Sequence, residues 1–174
     1  MDHSAMMLPA DPARRRAWIS GFLALAMAAT VGSALAFQHI GGYIPCKLCY
    51  EQRTPYYFGA PLMLLALLAA LYMPAWISRA ILAVGGLLMV YGLYLGVFHS
   101  GVEWGWWPGP TDCAAVAGPV DTGGKGVLDA LDQFVPPSCD KAALRILGLS
   151  LAGWQAVAAF ILAAVAFKGA FGRD

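Results

Sequence analysis

Four stretches of the chain carry no Asp, Glu, Lys or Arg: 17–46, 54–78, 80–102 and 146–167. Each is long enough to cross roughly 30 Å of hydrocarbon as a helix, which takes about 20 residues. The pattern predicts an all-α integral membrane protein, a four-transmembrane-helix bundle with spans at about 18–38, 54–73, 80–98 and 146–167. Residues 1–174 then form a single membrane domain, with external loops at 39–53 and 99–145. A soluble helical domain fits poorly, because four nearly consecutive uncharged runs leave too little polar surface. A cleavable leader fits poorly too. Arg14, Arg15 and Arg16 resemble its basic start, but the run Ala17 to Gln38 exceeds the roughly 7–15 apolar residues of such a segment.

Local signals mark the joints. Residues 1–16 are polar and Pro-bearing, and read as a short disordered lead. Gly21, Ala24, Ala28, Gly32 and Ala36 give the first span small residues that permit close helix approach in lipid. Gly41-Gly42 breaks that helix, and Pro45 holds Ile44 out of the helical region. The second helix is expected to start near Arg53 or Thr54, with Pro55 in its first turn and a kink at Pro61. Residues 72–76 make a short turn with interfacial aromatics. Gly85, Gly86 and Gly92 suggest close packing of the third span. In the long polar segment, Trp104, Trp106 and Trp107 read as headgroup-level anchors, and the glycines at 123, 124 and 126 predict a mobile stretch. Apolar positions 127, 128, 131, 134 and 135 have helix spacing. That helix is expected either to lie flat on the membrane surface or to pack on the protein's own outer ends. Pro136-Pro137 ends it, and Ser138 caps a further turn carrying Cys139 into the fourth span.

Composition agrees with membrane burial. The 174 residues are 60% hydrophobic and 12% charged, against about 25% charged in soluble domains. The formal net charge of +1 names no partner, and no basic block suggests nucleic acid. Charge placement sets the topology. With the N-terminus inside, the inner side carries Arg14, Arg15, Arg16, Arg79, Lys168 and Arg173, and the outer side five basic and seven acidic residues. The arginine cluster ahead of the first span biases that end toward the cytoplasm. Both termini are then cytoplasmic and all four cysteines external, where disulfides persist.

The cysteines carry the chemistry. Cys46 and Cys49 are three apart at the mouth of an apolar run, and Cys113 and Cys139 lie in the long polar segment. A Cys46–Cys49 link closes a small ring that holds little of the fold together, so redox work is the better reading. A helix N-terminal field stabilises a thiolate there, and Arg53, one turn beyond Cys49, adds positive charge on the same face. Arg53 serves either the thiolate or an oxygen gaining charge on a bound electron acceptor. Cys113 and Cys139 form a fixed staple or a shuttle pair opened by a partner thiolate. Two electrons need an outlet. There is no flavin or nucleotide fingerprint, no haem-type His pair within a span, and no residue set assigned to a metal. A lipid-soluble quinone reaching the helix mouth from the bilayer fits, with His99 near the same level.

The residues resemble the bacterial disulfide bond formation protein B (DsbB) family over nearly the whole sequence. The resemblance rests on Phe37-Gln38-His39, Pro45-Cys46-x-Leu48-Cys49, a Glu-containing segment ending in Arg53, Phe58-Gly59, His99, the pair Cys113 and Cys139, and Gly148-Leu149 with Trp154. It implies a thiol:quinone oxidoreductase of the bacterial inner membrane that reoxidises a periplasmic thioredoxin-like protein, DsbA or a DsbA-like dedicated partner. It implies that Cys139 of the loop pair meets that partner, that Cys46 exchanges with Cys113, and that Cys49 forms a thiolate adduct or charge-transfer complex with the quinone. Ubiquinone is the expected acceptor, menaquinone the other. Arg53 takes the place of the family's quinone-site arginine, and His99 that of a family histidine near the quinone. One departure is that Glu51 stands one position away from the family's usual Glu, so that residue's role does not pass to it. The different-class alternative is a non-catalytic membrane scaffold with structural disulfides. A small transporter is disfavoured, because no span holds a charged residue to mark an ion path.

Overall fold

The computed structural model describes residues 11–110 and 139–172. Four long helices make up most of it: α1 (Pro12–His39), α2 (Lys47–Tyr72), α3 (Ala75–Glu103) and α4 (Leu151–Phe171). All four are long and apolar enough to cross a membrane. A two-stranded antiparallel hairpin, β1 (Arg145–Ile146) and β2 (Leu149–Ser150), immediately precedes α4. Packing runs in chain order, α1 on α2, α2 on α3 and α3 on α4, and α4 returns more lightly to α1. Cys113, the 127–135 surface helix, Pro136, Pro137, the Ser138 cap and Arg173 lie outside the described residues.

Inside and outside differ in side-chain size rather than polarity. The buried core is Leu23, Met27, Met63, Leu82 and Met89 set among alanines such as Ala66, Ala163 and Ala166. Trp18, Phe22, Leu25, Leu68, Leu87 and Phe160 point outward. Lipid tails solvate a leucine as well as a protein interior does, so burial of small residues, which lets backbones approach, is what associates the helices. At Gly85 an added Cβ would strike Met63, and at Gly86 it would meet the Phe167 ring at 2.8 Å. The expected small-residue stripe on α1 holds only in part. Ala24 is buried and Gly21 faces Leu67, whereas Ala28, Gly32 and Ala36 are exposed.

The helices overrun the expected spans, each for a local reason. Asp11 caps α1 by accepting from the Ala13 N–H at 3.0 Å, and Pro12 suits the first helical position. Residues 12–16 are thus helical rather than disordered, and Arg16 is buried. α2 begins seven residues before Thr54, because the Cys46 sulfur caps it. Pro55 therefore sits inside the helix, not in its first turn, buried near Gly92. α3 runs on to Glu103, so His99 lies one turn inside a helix rather than at its end. The fourth helix starts late. Leu147 and Gly148 both have positive φ (53° and 85°), the two-residue turn geometry that matches a twisted hairpin. Residues 146–150 are therefore not helical, and Ser150 caps α4 by accepting from the Gly153 N–H at 3.1 Å. Cys139 lies in a turn, not in a helical turn leading into the span.

If size sorting holds the bundle, Gly85→Leu overpacks the α2–α3 contact and lowers stability by about 1–3 kcal/mol. Gly32→Leu, which meets nothing within 4 Å, is neutral or stabilising. Thermal unfolding of the two variants in detergent checks the difference.

Candidate active site

The chain turns sharply between α1 and α2. The Gly41 N–H donates to the Ala36 carbonyl and the Tyr43 N–H to the Phe37 carbonyl, at 3.1 and 3.2 Å, while Gly42 takes a φ of 70°. Pro45 then delivers Cys46 in an extended conformation as the N-cap, and its sulfur accepts from the Cys49 N–H at 3.4 Å. The two sulfurs are free thiols 3.0 Å apart, about 1 Å longer than a disulfide bond. The Cys46 thiol is pushed up to about 12, first by its hydrogen bond with Cys49 and next by burial, with His99 pulling the other way. Cys46 is thus the sulfur that keeps its proton.

A ladder of amides fixes how His99 faces that proton. The Gly92 carbonyl can only accept, so the Gln155 amide nitrogen must point at it, 3.2 Å away. The same nitrogen donates to the Tyr56 hydroxyl at 3.2 Å. The Gln155 oxygen therefore faces Gln52, whose nitrogen donates to it at 3.1 Å. The Gln52 oxygen is left facing His99 Nδ1 at 3.0 Å, so Nδ1 carries the hydrogen. His99 Nε2 then presents a lone pair to the Cys46 sulfur, 3.6 Å away. Gly96 provides the room, since a Cβ there would strike Gln155 and Ala156. Glu103, one turn beyond His99, brings Oε1 within 3.9 Å of Nε2 with its side chain only 4% exposed.

Arg53 sits on the next turn of α2, buried. Its Nη1 donates to Gln38 Oε1 at 2.6 Å and its Nη2 to the Ala34 carbonyl at 3.5 Å, and the guanidinium lies 5.2 Å from the Tyr50 ring centroid. Gln38 is held from its other side, donating to the Tyr50 hydroxyl at 3.3 Å. Among the described residues no carboxylate pairs with Arg53. A cavity of about 340 Å³ opens beside it, lined by Val31, Phe37, Cys49, Arg53, Tyr56 and His99 among others.

A family model, "Disulfide bond formation protein DsbB", matches residues 14–168. The chain belongs to the DsbB family. A relative named "Disulfide bond formation protein B", from Marinobacter nauticus, is 31% identical over 149 residues, covering 80% of this chain and 83% of the relative. No solved structure gives a significant match. Membership in the DsbB family gives the protein a role in disulfide formation, carried out by a multi-pass membrane bundle.

Within that DsbB frame, four of the six residues singled out from sequence converge. Cys46, Cys49, Arg53 and His99 line one cavity. Cys113 is outside the described residues. Cys139 is 2% exposed and packs with Cys46, Leu48 and Val102 under Trp107 and Phe98. The resemblance gave Cys139 the contact with the partner protein and Cys113 the exchange with Cys46. The structure places the Cys139 sulfur inside the Cys46 cluster rather than at the surface. Trp107, expected as a headgroup anchor, folds back so that its Nε1–H donates to the Phe98 carbonyl at 2.9 Å. Gln38, Gln52, Glu103 and Gln155 had no assigned role. A glutamine inside an uncharged run was the available signal for Gln155, but its partners are more than 60 residues away in sequence.

Gln155→Leu removes the middle of the ladder and leaves the Gln52 amide and the Gly92 carbonyl short of partners. The expected loss is about 1–3 kcal/mol of stability. Nitrogen-15 NMR of histidine-labelled protein should show His99 as the Nδ1–H form in the parent and a mixture of forms in the variant.

Proposed function

We propose that the protein is a thiol:quinone oxidoreductase of the bacterial inner membrane, with both termini cytoplasmic and its cysteine pairs periplasmic. It takes two electrons from the reduced dithiol of a thioredoxin-like, DsbA-like thiol oxidase and delivers them to a membrane quinone, ubiquinone first and menaquinone as the other acceptor. The observation that carries this reading is the cavity in which Cys49 and Arg53 meet apolar walls. Its volume lies within the roughly 300–1,000 Å³ of small-molecule sites. Walls from Val31, Phe37 and Ala152 suit a flat apolar ring, and a buried cation with no carboxylate partner among the described residues suits a ring oxygen. When bound, the quinone supplies a two-electron, two-proton acceptor.

The residues divide the work. A partner thiolate attacks a Cys113–Cys139 disulfide at Cys113, and Cys139 leaves as the thiolate. The partner's second thiol displaces Cys113, and the partner departs oxidised. Cys139 attacks Cys46 of the Cys46–Cys49 disulfide, and Cys49 leaves as a thiolate into the cavity. Cys113 then attacks Cys139, restoring the loop disulfide and releasing Cys46, which is protonated beside His99. Burial of Cys139 beside Cys46 supports this order. When the hairpin re-forms its disulfide, Cys46 gives its proton to His99 Nε2, and the pair yields two electrons. Arg53 binds the acceptor oxygen as negative charge grows there. In sum, one dithiol becomes a disulfide and one quinone a hydroquinone.

Purified protein should reduce an added ubiquinone analogue when supplied with a reduced thioredoxin-like partner. Cys46→Ser and Cys49→Ser should each abolish this, and turnover that survives loss of both sinks the reading. Arg53→Gln should raise KM for the quinone about tenfold or more, the worth of one charge-assisted hydrogen bond, while thiol exchange with the partner stays near the parent rate. Steady-state kinetics with each substrate varied in turn separates the two effects.

A further inference from the structure

We propose that the reduced hairpin is also a binding site for a soft divalent metal ion of the Zn²⁺ type, held by Cys46 Sγ, Cys49 Sγ and His99 Nε2 with Glu103 as the fourth ligand. The three sulfur and nitrogen atoms lie within 4.8 Å of one another. Zn²⁺ binds sulfur at about 2.3 Å and imidazole nitrogen at about 2.0–2.1 Å, tetrahedrally. Ligand atoms around one ion therefore stand roughly 3.3–3.8 Å apart. Two of the separations, 3.0 Å between the sulfurs and 3.6 Å from Cys46 Sγ to Nε2, need shifts of less than 1 Å, and the third, from Cys49 Sγ to Nε2, is no more than 4.8 Å.

Two further observations point to a cation there. First, metal-bound histidines almost always donate their other ring N–H to a fixed acceptor, which sets the tautomer. The Gly92–Gln155–Gln52 ladder does this for His99 and leaves Nε2 with its lone pair among the sulfurs. Second, the Glu103 side chain is 4% exposed, and its Oε2 is buried with no hydrogen-bond partner among the described residues, while Oε1 stands 3.9 Å from His99 Nε2. A buried carboxylate oxygen with nothing to accept from is costly, and a metal ion removes that cost.

Occupancy depends on redox state. Binding releases the thiol protons of Cys46 and Cys49 to solvent and moves no electrons. A Cys46–Cys49 disulfide removes both sulfur ligands, and a bound ion in turn blocks disulfide re-formation. The metal thus competes with turnover at one stage only, the dithiol. The proposal rests on the hairpin cycling between dithiol and disulfide, as the proposed function requires.

The test uses the full chain in detergent, reduced and freed of reductant without air. Cd²⁺ serves as the optical probe, and Zn²⁺ is measured in competition with a coloured chelator. One equivalent of Cd²⁺ should give a thiolate-to-metal ultraviolet band that the oxidised protein lacks. The nearly isosteric variants Cys46→Ser and Cys49→Ser should lose it. His99→Ala and Glu103→Gln should weaken Zn²⁺ binding, the former tenfold or more. Gln155→Leu, which touches no ligand atom, should weaken it about 10- to 100-fold. Equal binding to reduced and oxidised protein overturns the site. So does a band that survives Cys46→Ser but vanishes in Cys113→Ser, which would assign the ion to the loop pair. A parent protein that reduces quinone but gives no band refutes the metal site alone, and one that gives the band without reducing quinone refutes only the oxidoreductase reading.

Discussion

The orientation of the whole site descends from one carbonyl that can only accept. Gly92 offers its oxygen across the α3–α4 interface, and every amide downstream has a single consistent orientation because of it. Gln155 presents nitrogen to Gly92 and oxygen to Gln52, Gln52 presents nitrogen to Gln155 and oxygen to His99, and His99 is left with its lone pair toward Cys46. In a low-dielectric interior an amide turned the wrong way leaves two groups unsatisfied at once. The ladder is therefore cooperative, and it couples the helix that carries the sulfurs to two helices that carry none.

That ladder needs the packing style that lipid imposes. Glycines at 92 and 96 bring α3 close enough to α4 for Gln155 to reach across, and a side chain at 96 would occupy the space Gln155 uses. Small residues thus serve twice, as the means of association between helices and as the space in which polar side chains cross. Where α1 returns to α4 only lightly, the bundle keeps a cavity instead of closing, and the sulfurs and Arg53 line it.

How much of this was legible in the sequence follows from the range of each signal. Four uncharged runs of sufficient length were enough for the bundle, because hydrophobic length is a local property. Cys46, Cys49 and Arg53 were legible because one helical turn relates them, and His99 because it is a titratable group inside an uncharged run. The ends of the helices were not. Asp11 and Cys46 begin helices through contacts of their own side chains, and the positive φ of Leu147 and Gly148 delays α4 inside a run that is apolar throughout. Apolarity marks what enters lipid, not where a helix begins. Gln52, Gln155 and Glu103 were missed because their meaning lies in partners on other helices or in a turn that only the folded α3 defines.

Charge placement around the cavity separates two tasks. Arg53 stands on the α1 side, held by the neutral acceptors Gln38 and Ala34, and among the described residues no carboxylate cancels its charge. Glu103 stands on the α3 side, next to His99, where it can pair with the ring once Nε2 has taken a proton. In the proposed reaction, exchanging the two would set a carboxylate against an acceptor gaining negative charge and a cation against a histidine gaining positive charge, and both would oppose it. On the proposed reaction, the arrangement puts the cation where electrons would arrive and the anion where a proton would rest. It does so with buried side chains, whose interactions bulk salt screens little. The same carboxylate that can steady a protonated His99 during turnover can also complete a metal site when both sulfurs are reduced, so the two uses draw on one geometry and exclude each other in time.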